Sequence, residues 1–287
     1  MAQDSALPLL PVSPTYFGWR DQQIAAYHAG AGRPVLLIHS INAAASVFEM
    51  REPFQRLSQQ FAVHAFDLLG YGNSSRPPWR YRAAIYIDLI TAMLERIGEP
   101  TALIASSLGA AYAVMAAARR PQLVSRLALI CPTGIGQLDR GPGIAAYTVY
   151  QLLRSPFGRL LYELLTTRAS VRLFLASQAY ADPANITPER LEGFYQTCRR
   201  PGAYYAPICF LSGLLNCDIA ATFAALPHPT LVVWGSEAKT SPLQLASNFV
   251  RARVTTKIVT IDRASLLVQD EQPEAFVAQV GPFLAAP

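Results

Sequence analysis

Between an apolar run, Thr101 to Ala105, and a small-residue segment, Ala110 to Arg120, that reads as a helix lies Ala105-Ser106-Ser107-Leu108-Gly109. A serine with a small residue two places to either side, on a strand-to-helix turn, is the pattern of a nucleophile elbow. Such a turn forces the serine into a strained backbone conformation, which only small neighbours tolerate. The strain holds the hydroxyl at the carboxyl end of the strand, where the first amides of the next helix point. Ser107 is therefore the candidate nucleophile. The five residues alone fit a buried strand meeting a helix equally well, so the rest of the chain has to decide.

With 287 residues and 52% of them hydrophobic, the chain can bury one large core and leave room for a subdomain. Charged residues make up only 15%, which confines expected disorder to the first dozen positions. The net charge of +5 is spread over the chain with no basic run, which argues against a nucleic acid partner. Cys131, Cys198, Cys209 and Cys217 show neither CxxC nor metal spacing. They read as reduced thiols of a cytoplasmic protein, with no metal and no cofactor implied. The amino terminus, with Asp4, Pro8, Pro11 and Pro14, lacks the basic and apolar regions of a signal peptide. Ala102 to Ala118 has about the length of a membrane span. Two serines and a glycine interrupt it, so it reads as strand, elbow and helix, and no transmembrane segment is expected.

Apolar runs at Pro34–Ile38, Phe61–Phe66, Arg126–Cys131, Thr230–Trp234 and Lys257–Ile261 predict strands, alternating with helices at Ser46–Leu57, Ala83–Ile97, Ser241–Arg251 and Pro273–Leu284. Tyr16–Trp19 and Ile24–His28 predict an antiparallel hairpin at the edge. That alternation implies an α/β fold with a mainly parallel sheet flanked by helices. From Ile144 to Leu215 the patterning is helical throughout, which predicts a helical cap (135–215) inserted after the sixth strand of a core formed by 1–134 and 216–287.

Several motifs in chain order now carry a resemblance. His39-Ser40 after the third strand, the Asp67-Leu68-Leu69-Gly70-Tyr71-Gly72-Asn73-Ser74 turn, the Pro229 to Gly235 strand and the Glu271-Gln272-Pro273 helix start all resemble the α/β-hydrolase fold superfamily, in its capped group. The resemblance implies a Ser-acid-His order along the chain, and an oxyanion hole made by the amides of Leu108 and Ile41. It also implies the acid three residues beyond Gly235 and the histidine five residues before Glu271. Those positions hold Ala238 and Leu266, and no histidine follows His228. Ser40 stands where the family usually has glycine, which predicts a crowded oxyanion loop. Glu237 beside the acid position reads as a solvated side chain.

The remaining histidines offer little. His28 and His64 fall in strands, His228 precedes one, and His39 supports a loop. Loss of the base in a serine hydrolase costs on the order of 10⁶-fold in turnover. The expectation is thus a non-catalytic or very weakly active member with an intact elbow, binding a small, largely apolar ligand or ester-like substrate. The alternative is a working serine hydrolase, of a carboxylic ester or lactone, with a non-standard base from the cap or the ligand. Candidate pocket-lining residues are His39, Ser40, Ser106, Tyr204, Tyr205 and Phe210.

Overall fold

Strands that are apolar on both faces can only build a sheet that is covered on both sides. The computed structural model describes residues 6–286. Its sheet has eight strands: β1 (Thr15–Trp19), β2 (Gln22–Ala29), β3 (Pro34–Ile38), β4 (Ala62–Phe66), β5 (Thr101–Ser106), β6 (Val124–Ile130), β7 (Thr230–Gly235) and β8 (Lys257–Ile261). They lie in the order β1-β2-β4-β3-β5-β6-β7-β8. The first two form the expected antiparallel edge, and every pair from β4 to β8 is parallel. β3, β5 and β7 are buried along their whole length.

Helices connect the strands: α1 (Arg51–Leu57), α2 (Ala83–Ile97) and α3 (Ser107–Arg119) fall among β3 to β6. Between β6 and β7 come α4 (Ile144–Leu153), α5 (Pro156–Leu165), α6 (Arg168–Phe174), α7 (Pro188–Arg199), α8 (Tyr205–Leu211) and α9 (Ala220–Ala225). The chain closes with α10 (Ala246–Ala252), α11 (Val268–Glu271) and α12 (Pro273–Ala285). The helix expected from Ser241 begins at Ala246 instead, after a 3₁₀ turn over Leu243–Leu245. The backbone carbonyl of Ser241 accepts from Trp234 Nε1 at 2.8 Å, which fixes that stretch as a loop. No described helix is long and apolar enough to cross a membrane.

Two local devices hold the loops at the carboxyl end of the sheet. The Asp67 carboxylate accepts from the amides of Val47 and Asn73, both at 2.8 Å, and from the Tyr27 hydroxyl at 3.1 Å. A Cβ at Gly72 would sit 1.8 Å from that carboxylate, and the residue has φ +47°, so the turn admits glycine alone. Asn73 then reaches back to the amino-terminal stretch, exchanging hydrogen bonds with the Leu7 amide and carbonyl at 2.8 and 2.9 Å. Leu9 and Leu10 are buried. The described part of the first dozen residues is therefore anchored rather than disordered as expected; Asp4 lies outside the described residues.

Candidate active site

Ser107 follows directly on β5, near the middle of the sheet, and opens α3 with φ +52°. A β-carbon in that region is strained. The tight turn also brings α3 against β3: a Cβ at Gly109 would lie 2.3 Å from the His39 carbonyl oxygen. The first amides of α3 have no partner within the helix, and Ser106, its N-cap, makes no side-chain bond to them. The Leu108 amide is one of these donors, one residue beyond the Ser107 hydroxyl. A strained strand-to-helix turn stands where the elbow is expected.

Ser107 borders a cavity of about 310 Å³. Ser40, Ile41 and Ser106 line it from the sheet side, and Phe174, Phe194 and Phe210 from the helices between β6 and β7. Of the lining residues, Glu49 and Cys131 alone carry an ionisable group of the carboxyl, imidazole or thiol kind. Burial pushes the Cys131 thiol up to about 12, so it stays protonated. Burial pushes the Glu49 carboxyl up to about 7, even though Ser40 and Asn42 donate hydrogen bonds to it. The Ser40 amide donates to Glu49 Oε2 at 3.0 Å and the Ser40 hydroxyl to Oε1 at 2.8 Å. Asn42 Nδ2 donates to Oε1 at 3.2 Å and to Ser40 Oγ at 2.9 Å. The expected crowding at Ser40 does not occur: its φ is not positive, so nothing there demands glycine, and its side chain turns onto Glu49.

Among the described residues, no histidine is hydrogen-bonded to Ser107. His39 is buried with both ring nitrogens engaged: Nδ1 faces the Ser40 carbonyl at 2.7 Å and Nε2 accepts the Leu68 amide at 3.0 Å. Those partners assign one neutral tautomer and leave no lone pair for a proton. Burial lowers its pKa, which reinforces the neutral form. His39 is a correction to the candidate list, because it does not line the cavity. The His28 and His64 rings meet at 4.5 Å, tilted by 42°, across β2 and β4, and His228 Nε2 lies 2.9 Å from the Pro121 carbonyl.

Leu266 does line the cavity with Ser107. Ala238 is buried but does not line it. The Glu237 amide beside it donates to the Ala264 carbonyl at 3.0 Å, and the Ala238 amide donates to the Gly235 carbonyl at 3.3 Å. Glu271 accepts from the amides of Ser265, Ala181 and Asp182 at 2.8–2.9 Å and from Asn185 Nδ2 at 3.2 Å. The Leu266 loop is thereby stitched to the segment after α6.

Comparison with known proteins agrees with this fold. Residues 35–279 match the model of the alpha/beta hydrolase family. The chain belongs to that family. It is similar to a 2-hydroxymuconate semialdehyde hydrolase of Pseudomonas sp. strain CF600, 28% identical over 90% of this chain and 89% of that protein. A 2-(acetamidomethylene)succinate hydrolase of Mesorhizobium japonicum is also 28% identical, over 90% of each chain. Among solved structures, a serine hydrolase involved in carbazole degradation superposes with a TM-score of 0.79 at 18% identity, covering 95% of this chain and 98% of that one. That likeness concerns the fold.

In this family member, two further candidates need correcting. Tyr204 and Tyr205 line a different hollow with Arg159 and Tyr162, and the Tyr204 hydroxyl donates to the Leu153 carbonyl. Phe210 lies five residues beyond Tyr205, about 7.5 Å along α8 and on another face, and it alone of the three reaches the cavity. Sequence reasoning missed Glu49, Cys131, Thr133, Gln137 and Ser241, all of which line the cavity. Thr133 Oγ1, Gln137 Oε1 and Ser241 Oγ are buried without a hydrogen-bond partner, so this wall can receive a polar group of a ligand. One signal was legible: Glu49 is a lone charge among Val47, Phe48 and Met50.

Proposed function

We propose that this family member binds a small, largely apolar carbonyl compound, ester- or lactone-like, between a core (1–134 and 216–287) and a helical cap (135–215), and hydrolyses it without a histidine. Ser107 offers the hydroxyl, and the amides of Leu108 and Ile41 face the carbonyl oxygen, where negative charge develops. Ionised Glu49 takes the proton as the serine oxygen bonds to the carbonyl carbon, and returns it to the leaving alcohol; water then cleaves the acyl-serine by the same route. The observation that carries this reading is that Ser107 and a buried carboxyl with a pKa of about 7 line one cavity. A general base works best when its pKa lies near the working pH. The similarity to proteins named as hydrolases supports the same direction.

A second reading, ligand binding with no turnover, is favoured by Leu266 beside Ser107 where the resemblance puts an imidazole. The two are separated by p-nitrophenyl ester hydrolysis, combined with mass spectrometry of Ser107 after a fluorophosphonate. The hydrolytic reading expects rapid labelling, and turnover that rises through about pH 7 and is lost in both Ser107→Ala and Glu49→Gln. Background turnover unchanged in either variant selects the binding reading.

A further inference from the structure

Of the twelve large apolar side chains exposed among the described residues, ten lie between Ile144 and Leu211. α4, with the sequence IAAYTVYQLL, has no charged residue, yet Tyr150 is its one buried side chain. A helix apolar all round is normally enclosed by protein or lipid. On α5, Phe157, Leu160 and Leu164 form an exposed stripe, while Gly158 and Tyr162 face inward. Spacings of three and seven residues place that stripe on one side of the helix.

The charge that reads as scattered along the sequence is gathered in the same region. Residues 140–180 hold Arg140, Arg154, Arg159, Arg168 and Arg172 against a single acidic residue, Glu163, in a chain whose whole net charge is +5. Arg159 pairs with Glu163 and Arg168 with Glu192. Arg140, Arg154 and Arg172 form no ion pair among the described residues. A second copy of the chain on this face would set like charges against each other. An anionic surface complements them.

We propose that this face of the helical insertion docks on a bilayer surface carrying anionic headgroups. The apolar side chains of α4 and α5 enter the boundary between headgroups and acyl chains, and the arginines meet the phosphates, as in other interfacial helices. A groove of about 380 Å³ continues from this face: Leu165, Leu173 and Leu211, all exposed, line it. It shares Asn42, Phe174 and Phe210 with the Ser107 cavity. The groove therefore abuts the Ser107 cavity, with Phe174 and Phe210 between the two. The docking itself does not depend on turnover there.

The test is co-sedimentation of the full chain with vesicles of phosphatidylcholine, alone or with about 30% phosphatidylglycerol. Binding is expected to the mixed vesicles, at least about tenfold weaker to the neutral ones, and weaker in salt. The triple variant Leu152→Ser, Phe157→Ser, Leu160→Ser should lose at least about tenfold in partitioning while keeping its circular dichroism and melting curve. Arg154→Glu with Arg172→Glu should abolish the preference for anionic lipid. Failure to bind mixed vesicles, or binding that the triple variant leaves intact, overturns the proposal. So does a dimer in light scattering that the triple variant converts to monomer, which would assign the face to a second copy.

Discussion

Two loops flank Ser107, and they treat their polar groups in opposite ways. The loop after β3 turns Ser40, Asn42 and Glu49 toward one another at the edge of the cavity. The loop after β8 turns Leu266 to the cavity and directs its polar groups away from it. Ser265 Oγ donates to the Gln178 carbonyl at 2.9 Å, and Glu271 collects amides from both sides of the seam. In this chain the second loop is a fastening, and capacity to hold a proton resides in the first. Different side chains of that loop hold it in place and face the cavity, so the residue at 266 can change without unfastening the loop.

The largest effect is expected from Glu271→Ala. It strands buried donors on both sides of the seam, and stability to urea should fall by about 4 kcal/mol. A loss below about 1 kcal/mol would mean the fastening lies elsewhere. Next comes the pH dependence of Glu49. Its folded carboxyl stays protonated up to about pH 7, whereas its ordinary value is 4.5. Its contribution to stability is therefore full below about pH 4.5 and lost as pH rises through about 7. Glu49→Gln cannot ionise, so its stability relative to the parent should rise by on the order of 3 kcal/mol across that window. A flat difference would show that the carboxyl is solvated after all.

A sharper comparison gives the second loop an ionisable pair. Leu266→His with Ala238→Asp should raise p-nitrophenyl ester turnover at least about tenfold over the parent, and each single change should raise it less, since such groups act together. Equal rates for the double variant and Leu266→His would place residue 238 out of reach of the ring. The smallest effect belongs to Ser40→Gly. It removes one hydrogen bond to Glu49, worth about 1 kcal/mol, and raises the Glu49 pKa further because that bond favours the ionised form. The midpoint of the pH profile reads that shift.

What the sequence revealed was local. The elbow at Ser107, the turn from Asp67 to Gly72 and the glutamate at 271 each need a residue type at a fixed offset, so spacing exposes them. Glu49 has no such offset. Its burial comes from Asn42 and Ser40 folding back over a 3₁₀ turn, which no periodicity reports. Tyr204 and Tyr205 failed as lining residues because an apolar helix does not announce which of its faces meets the cavity. The arginines of 140–180 stand apart along the chain, and no periodicity reports that the apolar side chains between them stay exposed.

The order β4-β3-β5-β6 also has a consequence for the chain as it is made. These four strands all come from residues 34–130, so the centre of the sheet can pair before the helical insertion, β7 or β8 exists. The strained serine turn is then complete while β6 still lacks its neighbour and Phe174, Phe210 and Leu266 have yet to emerge. A nascent chain at that stage shows an unpaired apolar edge and an open apolar basin, both hazards for aggregation. Ribosomal pausing within the insertion would prolong that exposure, and a chaperone that shields β6 until β7 arrives would shorten it.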